Sequence, residues 1–252
     1  MKKEKNMEPK IFIKYGEFEH LKQIVNGKLR FAPSQNYVTM EKEQHNKGQG
    51  DLLEGKMKIK FERANMHDIE TKELLFTIPK SEVIISIQDV NNMPVFCISG
   101  YDENDIEEKE GKSFLKISPD KIDCIKTDFP KATHALIVFD ANCFINDVLN
   151  IDNRKIENDF IHYYNYDINT LQMFAYLTTG SEKFEKDIEM TLTYDNRFRH
   201  LLCKDTAFSS QQEYRFIVLD ELIENPIFYS FDFTSEYMIV PIDDLYECIE
   251  LL

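Results

Sequence analysis

Tryptophan is absent from this chain, glycine and proline number only eight each among 252 residues, and no two cysteines form a C-x-x-C pair. So few turn formers exclude collagen-like and low-complexity chains. The five cysteines (Cys97, Cys124, Cys143, Cys203, Cys248) are odd in number and widely spaced. That pattern argues against a cysteine-rich zinc module or a disulfide framework and suits a reducing compartment, with most of the thiols small apolar core residues. Basic charge is scarce as well: 30 Lys and Arg stand against 45 Asp and Glu, for a net charge of −15. Such a balance repels phosphates at long range and disfavours duplex nucleic acid as a partner. No stretch approaches the roughly 18 uncharged apolar residues of a membrane helix, and the start, Met1-Lys2-Lys3-Glu4, is not followed by an apolar signal core. A cytoplasmic protein with no membrane partner is expected.

Local chemical machinery is equally sparse. The chain lacks a G-x-x-x-x-G-K-S/T loop, a G-x-G-x-x-G turn, an H-E-x-x-H helix and a G-x-S-x-G elbow. Its six histidines show no ligand spacing, so no metal site is expected.

What is present is a rich supply of large apolar side chains, including 19 Phe and 12 Tyr, in a chain that is 42% hydrophobic. Roughly 250 residues suffice to bury most of that surface, which excludes disorder except at the ends, residues 1–10 being read as a flexible N-terminus. Residues 11–15 have strand composition, Phe18, Leu21, Ile24 and Val25 fall at helical spacing, Gly27 can end that helix, and Leu29-Arg30-Phe31 begins a second strand before Pro33 turns the chain. Residues 38–52 lack periodicity and read as a mobile loop, and the acidic run at 102–112 reads as another. Further strands are predicted at 56–61, 74–78, 83–87, 95–98, 135–139, 160–164, 213–219 and 238–240. Helices are predicted after Ser118 and Asp140, in two pieces over 182–203, and at the C-terminus on Leu245, Ile249 and Leu252. Strands and helices mix without regular β-α-β alternation. The expected class is therefore α+β, a single domain over 11–252 around a mostly antiparallel, twisted or split sheet with flanking helices.

Two segments carry unusual polarity. One is Lys14-Tyr15 with Leu29-Arg30-Phe31-Ala32-Pro33-Ser34-Gln35-Asn36-Tyr37, where cations and amides stand at strand ends beside a turn. The other runs from Asp205 to Phe216, where Glu213 and Arg215 lie two apart and so share one face of a strand, with Gln211 alternating onto the same face. A carboxylate beside a guanidinium is either a structural ion pair or the edge of a polar cleft.

The order of these pieces resembles an uncharacterised bacterial family of small cytoplasmic proteins, often found among mobile and defence genes. The matching residues are Lys14-Tyr15; Leu29, Phe31, Pro33 and Asn36; Cys97-Ile98-Ser99; Val138-Phe139-Asp140; Ile161-His162-Tyr163; and Lys204, Phe208, Gln211, Glu213, Tyr214 and Arg215. The chain departs from the family pattern at Gln35-Asn36-Tyr37-Val38, where an acidic residue is usual, and at Gly100-Tyr101-Asp102-Glu103, where a Trp-rich segment is usual. A weaker similarity is to ADP-ribosyltransferases. That resemblance implies NAD as cofactor, Glu213 as the carboxylate that stabilises an oxocarbenium-like transition state, Gln211 as its companion, Lys14 or Arg30 near the pyrophosphate, and Tyr15 or Tyr37 stacked on nicotinamide.

Three functions stay open on the sequence. The first is a nucleotide- or protein-binding module, with Lys14, Tyr15, Arg30, Asn36, Tyr37 and Arg215 as ligand-binding residues and conflict between phage and bacterium as its expected setting. The second is an NAD-dependent ADP-ribosyltransferase-like or NAD-cleaving enzyme using Glu213 and Gln211. The third is an acidic inhibitor that mimics nucleic acid, drawing on the runs at 102–110 and 152–159.

Overall fold

The computed structural model describes residues 8–44, 50–183, 193–246 and 249–250. The chain opens with β1 (Ile11–Gly16), α1 (Phe18–Val25) and β2 (Lys28–Pro33), as the alternation and the Phe18/Leu21/Ile24 spacing predict. Gly27 ends α1 in the left-handed region at φ 77°, and a Cβ there would lie 2.5 Å from the Phe231 carbonyl oxygen. Then follow α2 (Gln35–Gln44), the long strands β3 (Lys56–His67) and β4 (Leu74–Ser86), and β5 (Pro94–Tyr101). Next are β6 (Ile106–Lys109), β7 (Lys112–Leu115), α3 (Pro119–Asp128), β8 (His134–Val138), α4 (Ala141–Leu149), β9 (Ile156–Phe160), β10 (His162–Tyr164) and α5 (Leu171–Thr179). The chain ends with β11 (Cys203–Asp205), β12 (Glu213–Val218), β13 (Ile227–Ser230), β14 (Tyr237–Pro241) and β15 (Ile249–Glu250). The class is α+β. No helix of the described residues is long and apolar enough to cross a membrane.

The main sheet is antiparallel and centred on β5, which β12 lines along one edge from Val95 to Ser99. The opposite edge is shared. β1 pairs with it at Ser99–Tyr101 and β2 at Pro94 and Val95, so residues 96–98 have no strand neighbour on that side. From there β1 continues along β8, which pairs in turn with β14, while β2 pairs with β13. The sheet is therefore split into two leaves hinged on β5, and α1 joins them at the open end.

Aromatic packing holds one face together. Phe12, Phe96, Phe216, Phe231 and Phe233 surround Phe144 of α4 with ring centroids 5.8–6.4 Å away, a geometry that adds to plain burial. α4 is placed there by its cap, the Asp140 carboxylate accepting from the Cys143 N–H at 2.9 Å. On the other face, Met173, Tyr176 and Leu177 of α5 pack with Val95, Cys203 and Ile217, while Ile122 and Ile125 of α3 cover Ile13 and Ile137.

Several expectations are corrected. The segment 38–52 is not a loop in its first part: 35–44 are helical, and 45–49 lie outside the described residues. Among residues 35–43 of α2 only Val38 is buried, so the helix shows almost no apolar stripe; it is tied to the segment that follows, the Glu41 carboxylate accepting from the Leu52 N–H at 2.7 Å. The two strands predicted at 74–78 and 83–87 are one, β4: Pro79 falls opposite Arg63 and the pairing with β3 runs on through it from Ser86 to Leu74. The strand predicted over 160–164 changes sheets at Ile161, β9 joining β12 and β10 joining β11. α5 was not anticipated: its uncharged run LQMFAYLTT reads equally as strand or helix. Of the helix predicted over 182–203, residues 194–202 form a 3-10 helix and 184–192 lie outside the described residues. The acidic run at 102–112 forms a capped turn and the β6 edge of a hairpin, not a loop. Where a terminal helix was expected, the described residues form a short 3-10 turn at Ile242–Tyr246 and β15, which pairs with β7, while 247–248 and 251–252 lie outside the described residues. Residues 1–7 also lie outside the described residues.

Candidate functional site

The split opens a cleft in the plane of the sheet. Consecutive residues of both strands border it, Ile13-Lys14-Tyr15 from β1 and Cys97-Ile98-Ser99 from β5, which is possible only because no neighbouring strand fills the gap. An inner cavity of about 210 Å³ is closed by Tyr37 and Met40 of α2, Phe129, Lys204, Gln211 and Glu213. An outer cavity of about 540 Å³ shares Lys14, Tyr15, Arg30, Tyr37, Met40 and Cys97 with it and extends to His20, Lys28 and Lys131.

Lys14 occupies the place a strand would take. Its ammonium donates to the unpaired Cys97 carbonyl at 2.5 Å and lies 5.1 Å from the Phe96 ring centroid. Burial lowers its pKa, and Arg30 pushes the same way against the opposing charge of Glu213. Arg30, on the facing leaf, is exposed and has no carboxylate partner among the described residues.

Behind the inner wall lies a buried ionic cluster. The two Glu213 oxygens accept from Arg215 Nε at 2.6 Å and from Lys204 Nζ at 2.8 Å. Arg215, fully buried, reaches the Glu54 carboxylate through both terminal nitrogens and the Leu201 carbonyl at 2.5 Å. Lys204 also donates to Gln211 Oε1 at 3.2 Å and lies 4.7 Å from the Phe208 centroid. Burial alone would raise the Glu213 pKa, but Arg215 and then Lys204 hold it well below the usual carboxylate range. For Lys204 burial is likewise overcome, chiefly by Glu213, and its pKa rises. Asp51, only 4% exposed, is pushed up to about 6 by burial and by Glu54, with Lys204 opposing; its Oδ2 has no partner among the described residues.

Six of the residues predicted from the sequence meet at the cleft: Lys14, Tyr15, Arg30, Tyr37, Gln211 and Glu213. Two do not. Asn36 sits half-buried on α2 away from the lining, and Arg215 lies beneath Glu213 as a structural ion-pair residue with no exposure at all. Gln211 is not on the β12 face. It belongs to the 3-10 turn before the strand, and Gln212, at φ 43°, turns it so that Nε2 donates to Asp128 at 3.5 Å. The tyrosines are largely committed to protein contacts. Tyr15 bonds the Tyr101 hydroxyl at 2.7 Å and packs on Phe129, while Tyr37 bonds Cys97 Sγ at 3.2 Å with the Arg215 guanidinium 5.9 Å from its ring. Burial pushes the Cys97 thiol up to about 12, so it stays protonated.

Sequence reasoning on site residues missed Lys204, Cys97, Ser99, Met40 and Phe129 in the lining and Glu54 and Asp51 behind it. Lys204, Cys97 and Ser99 stood within the quoted motif pieces; Glu54, 161 residues from Arg215, carried no signal.

Chemically, the cleft is the reverse of the protein around it. Lys14, Arg30 and Lys204 line it, with Lys28 and Lys131 in the outer part, against the acids Glu213 and Glu17 in a chain of net charge −15. Such a site favours an anion with several oxygens. Glu213 is a poor electrostatic catalyst as it stands, because both oxygens already face cations. Among the described residues no group of three or more His, Cys, Asp and Glu is arranged to hold a metal ion. Comparison of the chain with protein-family models, with curated proteins and with solved structures found no match.

Proposed function

We propose that the protein is a nucleotide-binding module whose cleft takes an anionic ribonucleotide such as ADP-ribose or NAD, the class of ligand that the resemblance to ADP-ribosyltransferases implies. The observation that carries this reading is the cation-lined split between β1 and β2, with Lys14 and Arg30 facing each other across it and Arg30 lacking any carboxylate partner among the described residues. The phosphates lie against Lys14 and Arg30 in the wider outer cavity, whose size is within the range of small-molecule sites. The cytoplasm supplies both such a ligand and the reducing conditions in which Cys97, Cys124, Cys143 and Cys203 are free thiols.

A second reading is catalysis by Glu213, favoured by its place in the cleft wall beside Gln211 and weakened by its two ion pairs. The acidic-mimic reading has no comparable support, since its two acidic runs fall in different sheets, one at β6 and one at β9.

The test is a thermal-shift titration with ADP-ribose, NAD and ATP. At a hundred times its dissociation constant a ligand stabilises by about 2.7 kcal/mol, which for a chain of this size is roughly 5–10 °C. Lys14→Met and Arg30→Gln each abolish most of that shift. No shift with any of the three ligands overturns the proposal, and product analysis of a positive NAD sample separates binding from cleavage.

A further inference from the structure

The β3–β4 ribbon is built unlike the rest of the protein. It is a separate two-stranded sheet of 12- and 13-residue strands, and it presents large apolar side chains to solvent along its length: Leu75 is 61% exposed, Phe76 54% and Ile84 54%. A two-stranded ribbon of this kind is marginal alone.

Its two edges differ. On β3, the Asn169 side chain accepts from the Lys60 N–H at 3.0 Å and donates to the Lys60 carbonyl at 2.7 Å, plugging that edge. Those bonds also show that Lys60 turns its backbone groups away from β4. Its cross-strand partner Glu82 must then turn its own groups outward, and the two-residue period of a strand extends this to Phe76, Ile78, Lys80 and Ile84. Pro79 falls in the alternate set, opposite Arg63, so the outward row keeps every N–H. Among the described residues nothing pairs with this row.

We propose that the open edge of β4 pairs antiparallel with the same edge of a second copy of this chain, joining two ribbons into a four-stranded sheet. A second copy fits because the edge is self-complementary. A two-fold axis at Ser81 sets Lys80 of each copy opposite Glu82 of the other, and Ile78 opposite Ile84, every pair formed twice. Lys80 has no ion partner among the described residues, whereas Glu82 already has Lys58 at 3.0 Å on its own ribbon. The ribbon is also where two copies repel least: residues 56–86 carry six Lys and Arg against five Asp and Glu, in a chain of net charge −15.

Sedimentation velocity on the full chain, with circular dichroism and thermal unfolding as checks on folding, tests this. The wild-type protein is expected to be dimeric at tens of micromolar. Lys80→Glu replaces two attractive pairs by two repulsive ones and weakens the dimer by roughly tenfold or more, and adding Glu82→Lys restores it by exchanging the charges. A wild-type monomer, a Lys80→Glu dimer of unchanged affinity, or a folded double variant that stays monomeric each overturns the proposal; capture of a different protein by a monomeric chain does so too.

Discussion

Replacing Glu213 by Gln removes one charge and changes little else in shape, so its consequence follows from what the carboxylate holds. Glu213 is 6% exposed and bonds two buried cations. Arg215 keeps its two-point contact with Glu54 in the variant, but Lys204 loses its one ion pair among the described residues and keeps Gln211, the face of Phe208 and the more distant charges of Glu54 and Asp51. One buried cation is therefore stranded, not two, which puts the loss at the lower end of the range for breaking a buried pair, about 3 kcal/mol. For a chain of this size that lowers Tm by roughly 6–12 °C. The pH dependence has a definite sign. Because the folded pKa of Glu213 lies below the unfolded value of about 4.3, its stabilisation is complete above that value and is lost as pH falls through the folded pKa. The gap in Tm between wild type and Glu213→Gln is thus constant from neutral pH down to about pH 5 and narrows in more acid buffer. Thermal unfolding followed by circular dichroism across that range measures it. A Tm within about a degree of wild type, combined with lost ligand response or activity, refutes the reasoning and returns Glu213 to the chemistry.

Asp51→Asn should act in the opposite direction: the buried carboxylate has its pKa raised to about 6, so wild type is destabilised as pH rises through 4 to 6, and fixing a neutral group stabilises by about 3 kcal/mol at pH 8 and by nothing near pH 4. Destabilisation at pH 8 would show instead that the charged form is needed to hold Lys204. Gly100→Ala places a Cβ 2.6 Å from the Phe160 ring and should cost about 1–3 kcal/mol; adding Phe160→Leu gives part of it back, and a neutral Gly100→Ala would mean that the ring shifts freely. Lys14→Met should lose ligand-induced stabilisation while keeping the far-ultraviolet spectrum, and retention of the full shift would remove Lys14 from the phosphate site.

How much of this was legible in the sequence depends on where each determinant lies. The β1-α1-β2 unit was readable because its signals are local: alternation in 11–15, helical spacing through Ile24, and Gly27 at a turn that needs positive φ. The Glu213–Arg215 pairing was readable for the same reason, since two residues on one face of a strand must meet. What makes the cleft was not local. It arises because β5 divides one edge between β1 and β2, a pairing between segments some 60 to 90 residues apart, and because α2, whose sequence shows no apolar stripe, closes over the gap with Tyr37 and Met40. The split also undoes the usual rule for lining residues. In an intact sheet Lys14 and Tyr15 would face opposite layers, and only one could touch a given ligand. Here the opening lies in the plane of the sheet, so both border it, as do Cys97, Ile98 and Ser99 in succession. Alternation therefore identifies the strands and the ion pair behind the wall, but it cannot distinguish lining from core at the opening itself. That distinction needs a chemical probe, and the unpaired Cys97 carbonyl supplies one, because it faces the gap: Lys14→Met leaves it without a donor, so ordered water or ligand must take its place, and the ligand titration of that variant reads which.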